Sequence, residues 1–213
     1  MKVELLEYTP LLLIANAIRY SRKTHSRSDT KNKTYIGKKD LELIRKVAFG
    51  RNHSSVLEHS LLTFDVECSA KCLLELSRHR IGVSMTVQSS RYTLRKDLIE
   101  FEKTGVHEID ETMSNYINKI LELLEDKKNT MDDISMMLPA SYIYKMQLTF
   151  NLRSLVNFLI LRLDKSAHKN IRDLSFELME QLLEDYKNLL KNHKKINELY
   201  GFNEVYGVKH EKN

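Results

Sequence analysis

Asn151-Leu152-Arg153-Ser154-Leu155-Val156-Asn157-Phe158-Leu159-Ile160-Leu161-Arg162 is the run on which the rest of the chain is best read. Leu152, Leu155, Val156 and Leu159 recur at the spacing of one helical face, which predicts a helix with an apolar stripe. Arg153 and Asn157, four residues apart, share a different face. Arg162 lies nine residues beyond Arg153, half a turn round at ~100° per residue. A largely apolar helix that sends polar groups in opposite directions suits a place between two ligand sites, or at a subunit interface. A helix-end arginine paired with Asp164 is the plainer alternative.

A second run is Arg78-His79-Arg80-Ile81-Gly82-Val83-Ser84-Met85-Thr86-Val87-Gln88-Ser89-Ser90-Arg91-Tyr92. It opens with two guanidinium groups flanking an imidazole and closes with two hydroxyls, a third guanidinium and a phenol. Arginine forks match phosphate oxygens or carbonyl edges bidentately, and small hydroxyls add donors beside them. Such a run suits a planar, phosphorylated ligand. A solvated basic loop is the alternative, because charged residues make up 30% of the chain.

With 213 residues and a net charge of +5, the chain fits one domain with affinity for nucleic acid or for a small polyanion. No hydrophobic run approaches membrane-spanning length, and the N-terminus lacks the order of a signal peptide, so a cytoplasmic protein with no membrane partner is expected. The two cysteines, Cys68 and Cys72, form an isolated C-x3-C pair, read as buried small apolar residues rather than a zinc site. His53, Glu58 and His59 offer too few ligands for a metal site, and none is expected.

Along the chain, residues 1–8 read as a strand and Leu11–Tyr20 as an apolar helix. Residues 21–39 read as a polar loop. Asp40 reads as the cap of a helix ending at Gly50. Leu62, Phe64, Val66 and Cys68 alternate with Thr63, Asp65 and Glu67, predicting a half-buried strand. Ser69 is placed to cap a helix over Ala70–Ser77. A polar connection over 95–106 is followed by a long amphipathic helix through Ile109, Ile117 and Leu124. A short helix over Asp132–Met137 precedes a strand over Ser141–Phe150. A last long helix is expected from Ser166 to Tyr186, with the basic tail from Lys187 as a solvated helical face.

The Asn151–Arg162 run resembles the Asn-x-Arg-Ser-Leu-x-Asn-Phe-Leu-x-Leu-Arg motif of the flavin-dependent thymidylate synthases. Arg78-His79-Arg80 followed by Ser89 and Arg91-Tyr92 resembles that family's signature, with eight residues rather than seven before the serine. His53-x4-Glu58-His59 entering a Thr-Phe strand is similar to its first flavin-contacting loop. The Leu138-Pro139 turn also matches, although Ser135 stands where the family usually has an arginine, for which Lys145 or Arg95 could substitute. Together these resemblances cover roughly residues 50–172.

The resemblance implies an α+β fold, a small antiparallel sheet packed with several long helices, in one domain over 1–213 with a helical extension from about 187. It implies that dUMP is methylated to dTMP with methylenetetrahydrofolate as carbon donor and NADPH or NADH as reductant, through FAD and without a cysteine nucleophile. Arg162 would polarise the pyrimidine. Ser89, Ser90 and Arg91 would bind the nucleotide, with Arg78 bridging to the flavin and Glu75 in a position where the family often has Gln. His53, Ser55, Glu58, His79, Arg80, Asn151, Arg153 and Asn157 would lie around FAD. His168 would approach the folate or simply start a helix. Homotetramers with sites shared between subunits are implied, with no nucleic-acid partner.

Two other readings stand beside this one. A basic RNA-binding module would account for the charge and the lysine-rich tail, but not for Asn151, Arg153 and Asn157 inside an apolar helix beyond the reach of nucleic acid. A flavoprotein of the same fold without synthase activity is the other.

Overall fold

Alternating apolar and polar residues give Leu61–Ser69 one oily face, and the fold is built on it. In the computed structural model, which describes residues 1–21, 23–31, 35–94, 99–126 and 128–202, this strand (β2) buries Leu62, Phe64, Val66 and Cys68. The other strands are β1 (Lys2–Tyr8), β3 (Val83–Val87) and β4 (Ile143–Asn151), in one antiparallel sheet of order β1-β2-β4-β3. The helices are α1 (Leu12–Tyr20), α2 (Lys38–Ile44), α3 (Ala70–Leu76), α4 (Ser90–Thr93), α5 (His107–Glu125), α6 (Met131–Ser135), α7 (Leu152–Arg162), α8 (Lys169–Gln181), α9 (Glu184–Leu190) and α10 (Lys194–Tyr200). The architecture is α+β.

The register Leu62↔Phe150 and Phe64↔Leu148 puts large side chains opposite one another on the buried face. Leu155, Phe158 and Leu159 of α7 and Ile171, Leu174 and Leu178 of α8 complete this core. Asn151 is both the last residue of β4 and the cap of α7, its Oδ1 accepting from the Ser154 amide at 2.8 Å. The chain therefore turns from sheet to helix without a loop. A smaller core of Leu94, Ile117, Ile120, Ile134 and Tyr142 binds α5 and α6 to the loop after α4.

Several expectations are corrected. Asp40 does not cap α2. It lies in the first turn, fully buried, ion-paired with Arg19 and accepting from Ser28 Oγ at 2.6 Å. The N-cap position is Gly37, and the carboxylate of Asp29, eight residues earlier, accepts from the amides of Lys39 and Asp40 at 2.9 and 3.1 Å. Those amides hold the Asp29 carboxyl below the usual carboxylate range. The described part of the 21–39 segment is thus tied to the body of the protein. After Ile44 the helix widens into a π turn, Arg45–Gly50.

The expected single helix from Ser166 is two helices, because Leu182 turns extended and is itself buried. Apolar periodicity runs across that break, which hides it. Lys191, Lys194 and Lys195 face solvent as read, but Leu189, Leu190, Ile196 and Tyr200 on the same helices enter the main core. Among the described residues no helix is long and apolar enough to cross a membrane.

Candidate active site

Ser69 caps α3, accepting from the Cys72 amide at 3.3 Å, and the helix ends just before Arg78-His79-Arg80. The chain then turns through Gly82 at φ +65° into β3. Two bonds fasten this turn to the start of α7: the Asn151 amide donates to the Gly82 carbonyl at 2.9 Å and Ser154 Oγ to the Ile81 carbonyl at 2.7 Å. A Cβ at Gly82 would stand 2.2 Å from Asn151 Nδ2 and 2.4 Å from Ser154 Oγ. Only glycine permits both the backbone conformation and this approach.

Between this turn and α7 lies a cleft of about 550 Å³, with Arg78, His79, Arg80, Ile81 and Val83 on one side and Ser154, Asn157, Leu161 and Arg162 on the other. Its anchor is Arg162, whose Nε donates to His79 Nε2 at 2.9 Å. Arg162 Nη1 donates to Glu75 Oε2 at 3.1 Å and Nη2 to the Glu75 carbonyl at 3.2 Å. Three of the five guanidinium N–H donors are therefore engaged and two are left over. Lys71 and Arg78 also face Glu75, at 3.7 and 3.9 Å, so one carboxylate answers three cations. Arg162 and Glu75 are 17% and 14% exposed, so solvent screens their pairing only weakly.

His79 accepts at Nε2, so the neutral ring carries its proton on Nδ1. Burial first, and the Arg162 charge second, push its proton affinity below the ordinary value. The groups around it are Glu75 and Lys71 from α3, Arg78 just after that helix, and Arg162 and the Phe158 ring from α7. An unfolded chain binds this proton near the ordinary ~6.5, whereas the folded chain resists it until lower pH. Stability therefore falls as pH drops below ~6.5 and through the folded value. His79→Gln keeps an acceptor that does not titrate. In thermal melts between about pH 7.5 and 5 it should lose less stability towards acid than the parent. His193, also pushed down by burial, supplies dependence common to both proteins. Equal slopes would remove His79 from the account.

Arg153 and Arg162 leave α7 on opposite sides and meet different partners. Exposed Asn157 and Leu161 and half-buried Ser154 lie between them, with Arg162 at one edge and Arg153 at the other, donating to Glu58 Oε1 at 2.6 Å. Arg153 is half exposed, so the argument that nucleic acid could not reach it fails. The Asp164 alternative fails too, because Asp164 accepts from Ser166 and Arg162 turns to Glu75. Glu58, His53 and Ser55 lie on the exposed approach to β2, where Glu58 meets Arg153 but His53 lines a separate pocket with Ile18, Arg19 and Val47.

Ser89, Ser90 and Arg91 are not in the cleft. They lie past the far end of β3, which at ~3.3 Å per residue is roughly 17 Å long. There Arg91 is ion-paired through Nε with Asp132 of α6. Ser135 is half-buried, its Oγ donating to the Asp132 carbonyl at 2.8 Å, Lys145 is held by Glu67 at 2.8 Å, and Arg95 lies outside the described residues. His168 caps α8, accepting from the Asn170 amide at 3.3 Å.

The reading of the sequence overlooked Ser154, Ile81, Leu161, Lys71 and Asp132. The first three sit inside the quoted runs, where their spacing could have exposed them. Lys71 is four residues before Glu75, an ordinary helical pair. Asp132 carries no local signal.

Both cysteines are buried. The Cys68 thiol beside it, and burial, push the Cys72 thiol far above its ordinary range, the reverse of an activated nucleophile. No group of three or more His, Cys, Asp or Glu that could hold a metal stands together among the described residues.

A family model described as thymidylate synthase complementing protein matches residues 4–190. The chain is 38% identical over 203 residues to the flavin-dependent thymidylate synthase of Wolinella succinogenes, covering 89% of this chain and 97% of that protein. To the Helicobacter pylori protein of the same description it is 33% identical over 210 residues, covering 90% and 98%. A crystal structure of thymidylate synthase X from Helicobacter pylori with FAD and dUMP matches with a TM-score of 0.82 at 30% identity, covering 92% of this chain and 99% of that one.

Proposed function

The chain belongs to the flavin-dependent thymidylate synthases, and from that footing we propose that it converts dUMP to dTMP with FAD as redox cofactor. The cosubstrates are methylenetetrahydrofolate and NADPH or NADH, which leave as tetrahydrofolate and the oxidised nicotinamide. The observation that carries this reading is the preorganised Arg162, held at three nitrogens with two donors to spare. Uracil C5 is a poor nucleophile until negative charge gathers on the ring. A rigid guanidinium stabilises that charge at the ring oxygen without being consumed.

The donor set of the cleft fits the cofactor. Arg78, Arg80 and the Asn157 amide suit carbonyl edges and phosphates, while exposed Ile81 and Leu161 offer apolar surface to a planar ring. When bound, FAD supplies the two-electron chemistry. Arg78, His79, Arg80, Asn151, Arg153 and Asn157 hold and orient it, with Glu58 against Arg153 and His53 and Ser55 further along the same segment. Asn151 can contribute only its amide N–H groups, since its oxygen caps α7. Glu75 orients Arg162 first and touches the pyrimidine with what acceptor capacity remains.

The Ser89–Arg91 group reaches the cleft only from another copy of the chain. β3 is an edge strand, and Ile81 and Leu161 of the cleft are 89% and 51% exposed, which suits burial between subunits of a homotetramer. We read the protein as cytoplasmic, with no nucleic-acid or membrane partner.

Tritium release from dUMP labelled at C5, with FAD, NADPH and methylenetetrahydrofolate supplied, tests the proposal. Release should depend on NADPH and persist in Cys68→Ala and Cys72→Ala. Loss of release in a folded cysteine variant would overturn the flavin route. A yellow, folded protein that releases none would be the inactive flavoprotein.

A further inference from the structure

We propose that Asp132 is a positioning residue for Arg91, holding its Nε so that the two terminal nitrogens are left as a fork for the phosphate of a nucleoside monophosphate. The inference rests on the reading of Arg91 as a nucleotide ligand and assigns a role to a residue on a different element. Arg91 lies on α4, a single turn closed by bonds from the Thr93 and Leu94 amides to the carbonyls of Ser89 and Ser90 at 3.1 Å each. Leu94, directly after that turn, is buried against Ile134 of α6 in the small second core. Arg91 and Asp132 are therefore presented from two elements held by one apolar cluster.

The choice of acid is also determined locally. Asp133, the neighbouring carboxylate, is used at the start of α6: its amide donates to Thr130 Oγ1 at 3.2 Å and its Oδ2 accepts from that hydroxyl. Asp132 is left to pair with Arg91. Pairing at Nε matters because a guanidinium has two bidentate edges. Occupying Nε takes the side edge and leaves Nη1 and Nη2, whose parallel N–H bonds match two phosphate oxygens. Both side chains are 59% exposed, so without Asp132 the arginine would sample many rotamers and lose them on binding. Asp132 also repels a phosphate dianion, and two substitutions separate that effect from orientation.

Steady-state kinetics of the flavin-loaded enzyme give the test. Asp132→Ala should raise KM for dUMP by about three- to tenfold with kcat near the parent value, the scale of one re-immobilised side chain. Asp132→Asn keeps an acceptor for Nε and should hold KM within about twofold. Competitive inhibition by deoxyuridine, which lacks the phosphate, should not change in either variant. A KM that is unchanged or lower in Asp132→Ala overturns the proposal, as does an Asp132→Asn enzyme as impaired as the alanine one. So does a matching loss of deoxyuridine inhibition, which would mark a merely structural role. Arg91→Ala is the control for the underlying reading. If it leaves KM for dUMP unchanged, the assignment of Arg91 itself fails, separately from that of Asp132.

Discussion

Arg162→Ala is expected to lower kcat by roughly 10²–10³-fold, the cost of removing one preorganised donor from a developing oxyanion, while the purified protein stays yellow. Arg162 lies at one edge of the cleft, tied to Glu75 and His79, whereas Arg78, Arg80 and Asn157 line the remainder and Arg153 is paired with Glu58 outside it. On the proposed assignment, removing it deletes charge where uracil would be activated and leaves the groups assigned to the flavin in place. Arg162→Lys should recover little, because an ammonium cannot satisfy His79, the Glu75 carboxylate and the Glu75 carbonyl while also presenting two donors. Single-turnover rates and the visible spectrum after desalting measure the two halves of the claim. A colourless Arg162→Ala protein would move Arg162 to the cofactor, and unaltered turnover would remove it from the chemistry.

Gly82→Ala should cost about 2–4 kcal/mol, combining a left-handed backbone in a residue that resists it with displacement of the α7 cap. For a chain of this length that corresponds to a fall in Tm of roughly 5–15 °C. The added methyl group would strike Asn151 and Ser154, the residues that fasten the Arg78–Arg80 turn to α7, so flavin content should fall as well. Gly105 supplies the comparison: it too has a positive φ, +83°, yet nothing lies within 4 Å of where its Cβ would be. Gly105→Ala should lose only the backbone part and keep its flavin. A Gly82→Ala protein with parental Tm and full flavin would show that the turn is not under this constraint.

What the sequence makes legible follows from how much surface each residue buries. Leu152, Leu155, Val156 and Leu159 are all buried, as are the alternating residues of β2, because a face that must be apolar throughout leaves a periodic trace. β3 left almost none. As an edge strand it only half buries Val83, Met85 and Val87, and the small polar residues between them read as loop. Arg19, the one cation in an otherwise apolar helix, gave no hint that it would be buried against Asp40.

Family resemblance proposed residues for the site and carried no information on their partners. Arg162 meets His79 across 83 residues and Glu75 across 87, and no local pattern encodes a contact at that range. The separation of Ser89–Arg91 from the cleft was hidden for the same reason that β3 was. A run of fifteen residues reads as one site until a strand is seen to stretch it.

The central pairing of β2 with β4 has a consequence for how the chain reaches its native state. Thr63 and Thr149 bond across that pair at 3.0 Å although 86 residues apart, and the intervening loop carries α3, β3 and the whole α4–α6 unit. Closing so long a loop costs entropy before any contact repays it, so this step is slow relative to helix formation. Glu75 and His79 lie on the outgoing arm of the loop, and Arg162 lies just after the returning strand. A nascent chain therefore has no cleft until the sheet zips shut, and uptake of flavin reports the completion of folding as well as binding.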